Sequence, residues 1–171
     1  MSQFQKILLS TLFQVIIVMS DAQSQPVNNY APVSSATMNT YSVRLKPGQD
    51  LRKAIETIVQ QERIGAGAVL TCVGSLTDLT LRLANQEKAS EWKGHFEIVS
   101  LVGTLSTTGS HVHLSVSDST GRTIGGHLLD GCKVYTTVEL VIGTFPDLNY
   151  TREPDPTFGY RELVIRKQKR K

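Results

Sequence analysis

Apolar and polar positions alternate from Tyr41 to Leu45, and the period then changes. After a turn at Pro47-Gly48, Leu51, Ala54, Ile55, Ile58 and Val59 recur at i, i+3, i+4, i+7 and i+8, which is one face of an amphipathic helix. Asp50 stands where a side-chain oxygen caps that helix, and Gly65 with Gly67 is expected to end it before the apolar run Ala68 to Val73. Further strand-like runs cover Leu79 to Leu83, Phe96 to Val102, Val112 to Val116, Val134 to Ile142 and Tyr160 to Ile165, parted by Gly, Asp, Asn, Ser and Pro clusters. Pro146-Asp147-Leu148-Asn149 and Pro154-Asp155-Pro156 read as loops after the long strand. One helical stretch among many short-linked strands implies an α+β class, an antiparallel or mixed sheet with a flanking helix.

Three of the four histidines fall in one predicted hairpin. Alternation puts Val112, Leu114 and Val116 on one face and His111, His113 and Ser115 on the other. Asp118-Ser119-Thr120-Gly121 suits a three-residue loop with Gly121 in the left-handed position, which pairs residue 118 with 122. The same register sets His127 opposite His113 and Gly125 opposite Ser115. Opposite residues lie about 4.5 to 5.5 Å apart and same-face neighbours about 6.6 Å, so three imidazoles can reach one ion at about 2.0 to 2.1 Å. Zinc suits such a set first; nickel, copper and iron also accept imidazole. Gly125, lacking a side chain, is expected to leave room for a fourth ligand or water.

Composition narrows the classes. The chain has 171 residues, 40% of them hydrophobic, enough for one core. Its net charge of +3 is owed to five basic residues in the last six positions, Arg166, Lys167, Lys169, Arg170 and Lys171, so the body is slightly acidic. That balance argues against a folded domain gripping nucleic acid by its phosphates. Cys72 and Cys132 lie in separate strand-like runs and are expected as buried thiols, with one disulfide as the alternative in a secreted chain. The apolar run Ile7 to Met19, followed by Ser20-Asp21-Ala22, has the form of a cleaved signal peptide over 1–22 and is too short for a transmembrane span. A flexible linker is expected over 23–40 and a basic tail over 167–171. Asn149-Tyr150-Thr151 is an N-glycosylation acceptor pattern. Secretion follows if the leader is removed; otherwise a cytoplasmic or nuclear protein is expected.

From Tyr41 to Ile142 the chain resembles the plant-and-prokaryote-conserved (PPC) domain, giving a PPC-like domain over 41–166. The resemblance rests on Gly94-His95-Phe96-Glu97-Ile98-Val99-Ser100-Leu101-Val102-Gly103, His111-Val112-His113, Gly121, Gly125-Gly126-His127 and Thr137-Val138-Glu139-Leu140-Val141-Ile142, in family order. It implies an antiparallel sheet flanked by helices, a homotrimer, and a metal held by His111, His113 and His127. In plant members a Gly-Arg-Phe-Glu-Ile-Leu hexapeptide contacts partner proteins; here the matching residues are Gly94, His95, Phe96, Glu97, Ile98 and Val99, with histidine in place of arginine. The Arg-Gly-Arg-Pro hook with which plant relatives enter the minor groove does not occur in this sequence.

Three functions compete. The favoured one is a non-enzymatic, trimeric PPC binding module with a three-histidine metal site and a protein or small-molecule ligand. The second is a zinc-dependent hydrolase, in which metal-bound water ionises near neutral pH and Glu97 is the candidate general base. The third is a nucleic-acid-associated regulator acting through the basic tail, with DNA binding disfavoured. Trp92 is a candidate ligand or subunit contact.

Overall fold

The structure is a computed structural model that describes residues 31–157 and 159–168. The expected signal peptide, residues 23–30 of the expected linker, and residues 158 and 169–171 lie outside the described residues. All the elements belong to one of two compact units, Val33–Lys171. They are β1 (Asn39–Leu45), α1 (Leu51–Gln61), β2 (Gly67–Arg82), β3 (Ala89–Leu105), β4 (His111–Ser117), β5 (Thr123–Leu128), β6 (Lys133–Thr144), β7 (Leu148–Pro154) and β8 (Arg161–Lys167). No described helix is long and apolar enough to cross a membrane.

The main sheet has six strands in the order β1-β6-β2-β3-β4-β5, and all its pairings are antiparallel. Along one edge of β2, β6 pairs as far as Asp78 and β5 takes over at Leu81 and Arg82. That last pairing closes β2, β3, β4 and β5 into a ring. β7 and β8 form a separate hairpin.

Asp50 caps α1 as expected, accepting from the Lys53 amide at 3.2 Å. Its other oxygen accepts from the Gly131 amide at 2.8 Å, with Lys133 Nζ 3.4 Å away, so this buried carboxylate also ties the helix start to β6. The helix ends earlier than the glycines suggest. Arg63 takes φ 50°, Ile64 N–H donates to Val59 O at 2.9 Å and Arg63 N–H to Gln60 O at 3.2 Å, a Schellman stop completed by the buried Ile64.

Leu51, Ile55 and Val59 of α1 join Leu76, Leu79, Leu81, Leu105, Leu114, Val116, Leu140 and Ile142 in one core. Burying each such side chain contributes about 1.5–3 kcal/mol. Both cysteines are free thiols in that core, where burial pushes Cys72 up to about 12 and Cys132 up to about 11.

Several expectations change. The runs Ala68 to Val73 and Leu79 to Arg82 belong to one long strand, with Leu83 just past its end, because bulges between Gly74 and Leu76 and between Leu76 and Asp78 absorb the break in alternation. The loop expected around Leu148-Asn149 is β7, and Arg166 and Lys167, counted with the basic terminus, are strand residues of β8. Arg166 bonds Glu153 at 2.6 Å and Lys167 lies 3.3 Å from Asp147, so the tail expected from 167 begins later. Upstream, Ser35 Oγ and the Ala36 amide donate to Asp147, the amide at 3.0 Å, which anchors part of the expected linker.

Candidate metal centre

The β4–β5 hairpin turns as its sequence implies. Asp118 N–H donates to Arg122 O and Gly121 N–H to Asp118 O, each at 3.0 Å, and Gly121 has φ 83°. The Asp118 carboxylate accepts from Thr120 Oγ1 at 2.6 Å and from the Thr120 and Arg122 amides at 2.8 and 3.1 Å; these bonds, the Thr120 hydroxyl first, lower its pKa. His113 stands opposite His127, and Ser115 opposite Gly125. Leu114 and Val116 are buried while His111 and His113 are exposed and His127 is half-buried.

Three ring nitrogens therefore converge. His111 Nε2 lies 3.1 Å from His113 Nε2 and 3.2 Å from His127 Nδ1, and the cluster's ligand atoms all fall within 4.8 Å of one another. A tetrahedral zinc with bonds of about 2.0–2.1 Å sets its ligands about 3.4 Å apart, close to these spacings. The donor chemistry also fits. His111 Nε2 carries at most one proton, so it can donate to only one of the two nitrogens facing it. A cation at the centre satisfies all three lone pairs. Burial is the first cause lowering the pKa of both His111 and His127, followed by the charge of Arg152 for His111 and of Arg82 for His127, which favours the neutral rings a metal requires.

Beside the cluster opens a cleft of about 690 Å³, bordered by His111, His127, Arg82, Arg152 and Arg161 among others. Arg82 is the direct cross-strand partner of His127. Arg152 Nη2 donates to Thr104 Oγ1 at 2.9 Å, and Thr104 is the cross-strand partner of His111. Gly126 makes this approach feasible: a Cβ there would lie 2.6 Å from the Arg82 carbonyl oxygen. The room expected at Gly125 is small, since a Cβ there would meet Leu114 O at 3.1 Å.

The other singled-out residues lie elsewhere. Gly94 to Val99 run along β3, with Phe96 and Ile98 buried and His95, Glu97 and Val99 outward; the His95 ring packs on Tyr135 at 4.4 Å between centroids. Glu97 stands opposite Ser117, four residues along β4 from His113, or about 13 Å of strand. The structure does not bring it to the histidines. Trp92 is half-buried against the core and borders a smaller cleft with Phe96 and Ile124. Asn149 is a half-buried residue of β7. Sequence reasoning did not single out Arg82 and Arg152, whose places depend on pairings remote in the chain.

Residues 33–146 match the family model of the Plants and Prokaryotes Conserved (PCC) domain. The chain is 44% identical over 136 residues to the bifunctional protein GlmU of Synechococcus sp. strain JA-3-3Ab, a match covering 80% of this chain but 22% of that protein. The chain thus spans about a fifth of the length of this relative. A hypothetical protein from Salmonella cholerae-suis superposes with TM-score 0.78 at 46% identity, covering 80% of this chain and 98% of that one. A metal-containing protein from Archaeoglobus fulgidus shares the fold, with TM-score 0.69 at 22% identity over 79% of this chain and 99% of that one. With the family pattern matched across the sheet and across the hairpin that carries the three histidines, the chain belongs to the Plants and Prokaryotes Conserved domain family.

Proposed function

We propose that this protein is a non-enzymatic, trimeric binding module that holds one zinc ion per protomer through His111, His113 and His127. The observation that carries the reading is the convergence of the three ring nitrogens, with His111 Nε2 3.1 and 3.2 Å from the other two. Three neutral imidazoles leave zinc a position for an exogenous ligand, and the adjoining cleft offers the space. Self-association is supported by outward apolar side chains on β2, β3 and β6: Leu70, Val73, Val99, Val102 and Tyr135 are each 44–59% exposed in the single chain. Further copies of this chain are the occupant that family membership favours.

Elemental analysis beside sedimentation equilibrium tests both parts. The expected result is about one zinc per protomer at trimer mass, with His113→Ala losing the metal and keeping the mass. A metal-free protein after zinc loading overturns the site; a monomer overturns the assembly. A hydrolase is the second reading, favoured by the open cleft beside the cluster, with the metal supplying an activated water when bound. It requires turnover of an activated ester or phosphoester that disappears in His113→Ala.

A further inference from the structure

Arg82 and Arg152 are held where the cleft meets the histidine cluster, and neither charge is spent on a carboxylate. Both residues are half-buried; Arg82 Nη1 donates to Gln86 O at 3.5 Å and Arg152 Nη2 to Thr104 Oγ1 at 2.9 Å, which leaves most N–H donors of each guanidinium uncommitted among the described residues. Among the described residues, neither takes part in a salt bridge. Arg82 shares a face with its cross-strand partner His127, and Arg152 is fixed by Thr104, the partner of His111. The two cations thus flank the cluster from two sides. Arg161, which donates to the Arg152 carbonyl, adds a third positive charge to the same cleft. Of the acids bordering it, Glu56 is already paired with Arg52 at 2.9 Å, and Glu87 and Glu162 remain.

We propose that Arg82 and Arg152 form a subsite for a small oxyanion, the carboxylate or phosphate group of the ligand this module carries. Guanidinium forks suit both groups because two parallel N–H donors match two oxygens. The anion subsite stands on the two arginines alone; that a ligand oxygen also turns toward the metal rests on the zinc reading above. The cleft dimensions suit a small organic anion, with the rest of the molecule lying along Leu128 and Leu129.

Calorimetric titration of the full chain with inorganic phosphate and, separately, with succinate tests this, first on chelator-stripped protein and then after reloading with zinc. Saturable binding of at least one anion to the stripped protein is expected, weakened about 10-fold or more in Arg82→Gln and in Arg152→Gln. Whichever anion binds tighter identifies the group. His113→Ala should abolish zinc uptake while leaving the stripped protein's anion affinity unchanged, so a failed metal site and a failed anion site give different results. Thermal melts check that the variants fold. If Arg152→Gln does not, Arg152→Lys keeps the charge but not the fork and should still weaken binding. Absence of saturable binding at millimolar anion, or wild-type affinity in both arginine variants, overturns the proposal.

Discussion

The β4–β5 and β7–β8 hairpins both border the cleft, yet they are held in different ways. β4–β5 sends Leu114, Val116 and Leu128 into the core and is hydrogen-bonded on both flanks, to β3 on one side and β2 on the other. β7–β8 pairs with itself and buries Leu148; Arg166 to Glu153 and Thr151 links its own two strands, and polar contacts tie it to the rest, Tyr150 N–H to Gly65 O, Thr108 Oγ1 to Tyr150 O and Arg152 to Thr104. Surface ion pairs contribute little beside buried aliphatic area. Metal ligands need positions fixed within a fraction of an ångström, and the histidines sit on the core-anchored hairpin. Arg152 sits on the polar one, the wall that local opening reaches first.

The comparison breaks most sharply in the core. Leu114→Ala should cost about 2–5 kcal/mol, whereas Leu163→Ala at a half-buried position of β8 should cost about 1 kcal/mol or less. Equal losses in urea unfolding would show that both hairpins are core-anchored. His113→Ala should weaken zinc binding by more than about 100-fold in competition with a chromophoric chelator, since even losing a partner of a ligand costs about 10–100-fold. The melting temperature of the metal-free protein should not move. Gly126→Ala sharpens the role of ring closure: its Cβ would press on the Arg82 carbonyl, at a cost of about 1–3 kcal/mol, and Arg82 would shift away from His127. Amide shifts of Arg82 and Leu81 would report that displacement.

The smallest effect concerns the anchor at Asp147. Hydrogen bonds from Ser35 and then Ala36 hold its carboxyl down at about 2. Because the folded value is depressed, the anchoring contribution is complete above the ordinary carboxylate value of 3.8 and is lost as pH falls toward 2. The Ala36 amide resonance should follow that titration. In Asp147→Asn it should be flat.

The same contrast explains what the sequence disclosed. The β4–β5 register follows from a local alternation and a turn whose Asp118 and Gly121 have single roles, so the opposition of His113 and His127 could be read directly. β7 was hidden because Pro146, Asn149, Thr151, Glu153 and Pro154 show no apolar face; pairing with β8 makes it a strand. The unity of β2 was masked by bulges at Gly74 to Asp78 that break its alternation. Arg82 and Arg152 carry no local signature, since one is set by closure of β2 on β5 and the other by a side-chain bond to β3. Glu97 had the right chemistry for a base, but the register runs it away from the histidines along the sheet.

Zinc K-edge absorption on the full chain loaded with one equivalent of zinc probes the coordination sphere itself. The expected spectrum shows imidazole scattering from three nitrogens at about 2.0–2.1 Å, reduced in His111→Ala, His113→Ala and His127→Ala alike. A first shell of sulfur or of water oxygens, or one unchanged by those substitutions, would contradict the three-histidine centre.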